Sequence, residues 1–176
     1  MGADFSGLNN LKDRFGSSNI KNCKYIGSDL AGLLLASNNI EHCDFANSDL
    51  RSSKIKSCNI EYNNFTSCSL IDAEFVESEV TNCNFSNVDF SGAEFSSVNF
   101  GKNILENVVW KLSAFKMSNI SNVIFNGLVE DCVFDNCSFS KVTFRNAKLV
   151  NTFFKGDKLK RISFIEGLAI PKSISW

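Results

Sequence analysis

Cys83-Asn84-Phe85-Ser86, Val88-Asp89-Phe90-Ser91, Ala93-Glu94-Phe95-Ser96 and Val98-Asn99-Phe100-Gly101 follow one another at a fixed five-residue step. Each holds a small residue, a polar residue, a large apolar residue, and then a small or polar one. A period of five belongs neither to an amphipathic helix nor to a half-buried strand, so the chain is read as an internal repeat. With the large residue as centre, the register runs outward from Phe85 to every fifth position between Phe15 and Phe125, with Phe5 beyond and Asn10 the one polar intruder. It drops one residue near Gly127 and resumes at Val129, Phe134, Phe139, Phe144, Leu149, Phe154, Leu159 and Phe164. At 44% hydrophobic content, so long an unbroken run has a chance probability of about one in 10⁸.

Sixteen of the 17 Phe are centres, Phe153 being the exception, and all seven Cys stand two residues before a centre. These positions therefore define a large and a small inward site, leaving three residues of each five outside. Every fourth centre is of one kind: Phe5, Tyr25, Phe45, Phe65, Phe85, Leu105, Phe125, Phe144 and Phe164 form one series. Ile20, Ile40, Ile60 and Val80 belong to a second, and Leu30, Leu50, Leu70, Phe90 and Trp110 to a third. Side chains that repeat in kind every twenty residues stack on their own kind, so four fives make one coil. Coils pair at roughly 4.8 Å, and eight or so give an all-β rod on the order of 40 Å long. Outside, Asn19, Asn39, Asn59, Asn99 and Asn119 form a column in which amides can bond along a ladder.

Units such as Ala3-Asp4-Phe5-Ser6-Gly7 and Ser48-Asp49-Leu50-Arg51-Ser52 resemble the pentapeptide-repeat proteins, and the resemblance covers nearly the whole chain. It implies a right-handed quadrilateral β-helix, the handedness coming from the resemblance alone. The expected organisation is one β-helical domain over residues 1–164 with a register skip near Gly127, followed by a C-terminal cap or dimerisation tail over 165–176. In relatives that resemble this chain, the C-terminal segment also joins rods end to end. Leu168, Ile170, Ile174 and Trp176, around the only proline, Pro171, are the candidate cap or dimer residues.

No apolar leader and no apolar run of membrane-spanning length occurs, so the expectation is a cytoplasmic protein with no membrane contact. The chain opens in mid-pattern, as a fragment or an uncapped first coil would. The cysteines are read as buried free thiols, because parallel Cβ vectors on adjacent coils do not converge as a disulfide requires and no CxxC spacing is present. No metal site or cofactor is expected. His42, the only histidine, is outward beside the inward Cys43 and reads as a solvated surface residue, not as half of a nucleophile pair. Evenly spaced outward side chains offer no pocket and no acid/base pair, so catalysis is not expected.

Charge is uneven. Residues 1–100 carry a net charge of −6 and residues 101–176 one of +5. Glu61, Asp72, Glu74, Glu77, Glu79, Asp89 and Glu94 form a stretch without a base, whereas Lys141, Arg145, Lys148, Lys155, Lys158, Lys160 and Arg161 crowd the other end. This is either a directional field for a partner or a solvated polar surface. From Ile104 to Val133 the outward positions turn apolar: Ile104 and Ile124 share one column, Val109 and Leu128 the next, with Leu112 and Met117 nearby. Either they form an exposed contact patch or the backbone bulges over them at the skip.

Two functions fit. The first is a non-catalytic rod binding a protein partner through its charged and apolar outer faces. The second follows from resemblance to the quinolone-protection members, whose acidic rods resemble duplex DNA and occupy the DNA site of gyrase or topoisomerase IV. It makes a type II topoisomerase the partner and the carboxylates from Glu61 to Glu94 the contact. Direct nucleic-acid binding is not expected, since the basic residues lack aromatic partners.

Overall fold

Backbone hydrogen bonds from one coil to the next set the architecture. The Phe45 N–H donates to the Asn64 carbonyl at 2.7 Å, and the Asn64 N–H donates to the Cys43 carbonyl at 2.9 Å. The same exchange repeats up the chain, as the parallel pairing of stacked strands requires. The computed structural model describes residues 2–9, 11 and 15–165, and the backbone of 174–175. Its described residues are all-β, without helix, wound as a four-sided parallel solenoid.

The sides are named here by one centre each. The Ile60 side stacks strands from Asn19–Lys21 through Asn39–Glu41, Asn59–Glu61 and Glu79–Thr81 to Ser138–Val150 and Lys158–Ile165. The Ile55 side runs from Leu34–Ala36 to Phe153–Lys155, where Ile174–Ser175 adds a last rung opposite Phe154. The Phe45 and Leu50 sides are held by single bridges such as Asp44↔Asn64 and Asp49↔Ser69 as far as Val109. They become strand in Trp110–Lys111, Ile124–Glu130, Ser138–Val150 and the end of Lys158–Ile165. Over the described residues the rod has about seven turns, fewer than the column count suggests, because the rungs on a side outnumber the steps between them by one.

Inside, like packs on like. Tyr25, Phe45, Phe65 and Phe85 stack with ring centroids 4.8, 4.9 and 5.0 Å apart, and Phe75, Phe95 and Phe115 stack at 4.8 and 4.3 Å. Ladder spacing and ring stacking thus share one repeat. The ladder shifts register between Phe125 and Gly127: Phe125 faces Phe144, whereas Gly127 faces Ala147.

The corners follow a rule that the repeat alone does not reveal. The second residue after a centre adopts left-handed φ nearly throughout, from Asn22 to Arg161, which explains the abundance of Asn, Ser, Asp and Gly there. On the Phe45 and Leu50 sides the corner is a type II turn, with the Ser48 N–H donating to the Phe45 carbonyl at 3.1 Å and Asn47 at φ 59°. The Asp or Asn before the centre braces that turn: the Ala46 N–H donates to Asp44 Oδ1 at 3.1 Å and the Thr66 N–H to Asn64 Oδ1 at 3.1 Å.

The small inward site is a hydrogen-bonding slot. Ser28 Oγ donates to the Phe5 carbonyl at 2.9 Å, Ser113 Oγ to the Phe90 carbonyl at 2.8 Å, and Cys68 Sγ to the Phe45 carbonyl at 2.8 Å. Cysteine here stands in for serine as a small donor. Asparagine does more: Asn63 accepts from the Cys43 N–H at 2.8 Å and donates from Nδ2 to the Ile40 carbonyl at 2.8 Å.

Asp157 occupies the same slot. Its Oδ1 accepts from the Cys137 N–H at 2.6 Å, while the buried Oδ2 has no partner among the described residues. Burial, aided by the charge of Asp135, pushes its carboxyl up to about 6. Raised above its unfolded value, this group favours the fold fully below about pH 4 and loses that contribution as pH rises through 6. Asp157→Asn restores the donor that Asn63 has. The expected outcome is a gain of about 1 kcal/mol at pH 7.5 that shrinks toward pH 4, read as the difference between variant and wild type in urea unfolding at each pH.

Candidate functional site

Outward positions sort into columns, so the outer surface is a grid. Glu74 and Glu94 are rung neighbours on the Ile55 side, with Asp72 and Glu77 at the flanking corners. Glu79 and Glu61 lie on the Ile60 side in different columns, and Asp89 lies on the Leu50 side. The carboxylates therefore wrap three sides and form no single face. Lysines meet two of them: Lys54 Nζ lies 3.1 Å from Glu74 and Lys116 Nζ 3.1 Å from Glu94. Glu61 accepts from Thr81 Oγ1 at 2.9 Å, and Glu77 from Ser57 Oγ at 3.2 Å.

Glu79 interrupts the asparagine column. Asn59 Nδ2 donates to Asn39 at 2.9 Å and Asn119 Nδ2 to Asn99 at 2.9 Å, but Asn59 Oδ1 below Glu79 is buried without a partner among the described residues. Next to this break, Gly101 carries no side chain. A half-open polar cavity of about 260 Å³ lies there, lined by Glu79, Thr81, Asn99, Lys102 and Ser121 among others.

The apolar block is exposed. Ile104, Val109, Ile124 and Leu128 show 49, 46, 41 and 46% of their surface, so the backbone does not cover them at the skip. Ile104 and Ile124 line a second half-open cavity of about 290 Å³ with Lys102, Glu106, Asn126 and Arg145. Val109 and Leu128 stand around the corner, each one residue before the paired Trp110 and Val129. Leu112 and Met117, the most exposed large apolar side chains among the described residues at 61 and 65%, occupy left-handed corners at φ 57° and 49°. Sequence reading places them outside but does not show that their backbone is strained.

His42 is exposed and stacks on Tyr62 at 5.1 Å, well away from any thiol role for Cys43. All seven cysteines are free. Burial pushes the thiols of Cys43 and Cys137 up to about 11 and those of Cys68 and Cys83 up to about 12, the opposite of what a nucleophile needs. Among the described residues, no group of three or more His, Cys, Asp or Glu side chains could hold a metal ion, and no helix is long and apolar enough to cross a membrane. Leu168, Ile170 and Trp176 lie outside the described residues, and Ile174 is described by its backbone alone.

A family model described as Pentapeptide repeats matches residues 64–102 and 129–156 in eight copies. The four-sided ladder carries the same five-residue step through the coils between and beyond those two stretches, so in repeat and fold the chain is similar to that family. Solved structures similar to it include a trypsin-treated form of QnrB1, a plasmid-mediated fluoroquinolone resistance protein, at 16% identity over 94% of this chain and 90% of that one, TM-score 0.45. HetL, involved in heterocyst differentiation regulation in the cyanobacterium Nostoc sp. strain PCC 7120, is 12% identical over 96 and 91%, TM-score 0.33. A pentapeptide repeat protein of the Arabidopsis thaliana thylakoid lumen is 24% identical over 70 and 62%, TM-score 0.32. No curated protein matches the chain.

Left-handed backbone costs a non-glycine residue roughly 1–2 kcal/mol, and asparagine tolerates it. Leu112→Asn and Met117→Asn are therefore expected to raise stability by about 1 kcal/mol each, seen as higher melting temperatures. Unchanged or lower values would show that the corners hold no strain.

Proposed function

We propose that this protein is a non-catalytic scaffold rod that binds a protein partner through its outer surface. The observation that carries the reading is the exposed Ile104–Ile124 column, set in a half-open cavity with Lys102, Glu106 and Arg145 at its rim. Apolar side chains rimmed by charge suit a protein contact. Leu112 and Met117 support it, since strained and exposed apolar corners lower stability without benefit to the core. Seven free thiols support a reducing, cytoplasmic setting.

The second reading is a DNA-mimicking rod that binds a type II topoisomerase, favoured by the carboxylates between Glu61 and Glu94. The lysines on Glu74 and Glu94 and the spread over three sides weigh against it. One comparison separates the two. Wild-type rod and the double variant Ile104→Asp/Ile124→Asp are immobilised, and retained proteins are quantified, with a gyrase supercoiling assay run in parallel. The scaffold reading expects specific partners lost at least tenfold in the variant while circular dichroism is unchanged. Equal retention by both proteins overturns it, and gyrase inhibition that survives the double variant but vanishes in Glu74→Lys/Glu77→Lys/Glu94→Lys moves the topoisomerase reading to first place.

A further inference from the structure

The Leu50 side carries an outward column whose neighbours are given by the ladder register. Asp29, Asp49, Ser69, Asp89 and Val109 are successive bridge partners; Leu128 follows, beside Val109, and Lys148 pairs above Leu128. Read along the rod, the upper part of the column is acid, apolar, apolar, base. Val109 and Leu128 are each 46% exposed, Lys148 is exposed, and Lys148 makes no ion pair among the described residues. Asp89 uses Oδ1 for the Ser91 turn, at 2.9 Å from N and 2.6 Å from Oγ. Beside the column, Lys111 and Glu130 pair with each other at 3.5 Å, and Asp131 at the next corner accepts from Asn151 Nδ2 at 3.1 Å.

Such a column is complementary to itself when reversed. We propose that the Leu50 side is the contact face of an antiparallel, side-by-side homodimer, with the two-fold axis lying in the contact plane, perpendicular to the rod and level with the gap between Val109 and Leu128. Rungs are about 4.8 Å apart, which puts Asp89 and Lys148 about 7 Å below and above that axis. The two-fold operation lays Leu128 over the second copy's Val109 and brings Asp89 opposite its Lys148, twice over, as an isologous contact requires. A parallel pairing in register would set Asp89 against Asp89 and Lys148 against Lys148. Charge thus selects the antiparallel arrangement. This face is distinct from the Ile104–Ile124 column around the corner, so the dimer and the partner contact proposed above stand or fall separately.

Four rungs of one side make a contact well below standard interface size, so a dissociation constant on the order of 10–100 µM is expected. Sedimentation equilibrium from 5 to ~300 µM in low salt should show mass rising toward twice the monomer, and less so at high salt. Lys148→Glu and Asp89→Lys should each weaken self-association at least tenfold, because each homodimer then opposes like charges twice. Mixing the two variants should restore association, since the mixed dimer regains both opposite-charge pairs. Val109→Asp/Leu128→Asp should be monomeric, whereas Ile104→Asp/Ile124→Asp should associate as wild type. Circular dichroism and melting of each variant alone establish that it is folded, and Lys148→Gln serves as a milder variant if Asp89→Lys is not. Wild type that stays monomeric to 300 µM overturns the proposal, as does a mixture that fails to associate when both folded single variants have lost association.

Discussion

The parallel hydrogen bond between one coil and the next is the interaction on which everything else depends. It holds each residue over its counterpart one coil away, so a chemical choice made at one rung is judged against the same position above and below. Phe45 must suit Tyr25 and Phe65, and their rings stack at 4.8 and 4.9 Å because the backbone dictates that spacing. Contacts of this kind are nearest-neighbour, and stability grows coil by coil.

The second inward residue has a chemistry of its own. It fills the gap beside the large side chain and ties a coil to a carbonyl of the coil below, a task shared by Ser28, Cys68, Ser113 and Asn63. This accounts for seven free thiols without redox or metal chemistry: a buried thiol is a weak donor of the right size. Asp157 meets only half of the requirement, and its raised carboxyl follows from that mismatch.

On the outside the same ladder turns single departures into local features. Glu79 breaks an amide column, Gly101 opens a polar hollow, and Ile104, Val109, Ile124 and Leu128 replace polar rungs with exposed apolar ones. A scaffold with so regular an interior can vary its surface freely, because outward side chains contribute little to the core. Information about partners therefore resides in these departures and in the axial order of charge, such as the sequence from Asp89 to Lys148 on the Leu50 side.

The five-residue step and its fourfold grouping were enough, from residue order alone, to determine an all-β solenoid with Phe and Cys inside. Burial repeats with the backbone, and Phe85, Phe90, Phe95 and Phe100 are fully enclosed. The left-handed corners were not legible, because Asn, Ser, Glu, Leu and Met all occupy them and only the closed coil forces that φ. Nor was the fate of the carboxylates: which of them a lysine reaches depends on side chains on neighbouring coils, so Glu74 and Glu94 are paired although the stretch around them lacks a base. Whether the apolar block faced outward or lay beneath a bulge was likewise settled only by the path of the chain through Gly127. Period is a property of the string, whereas exposure and charge pairing belong to the packed surface, which exists only once the coils have closed.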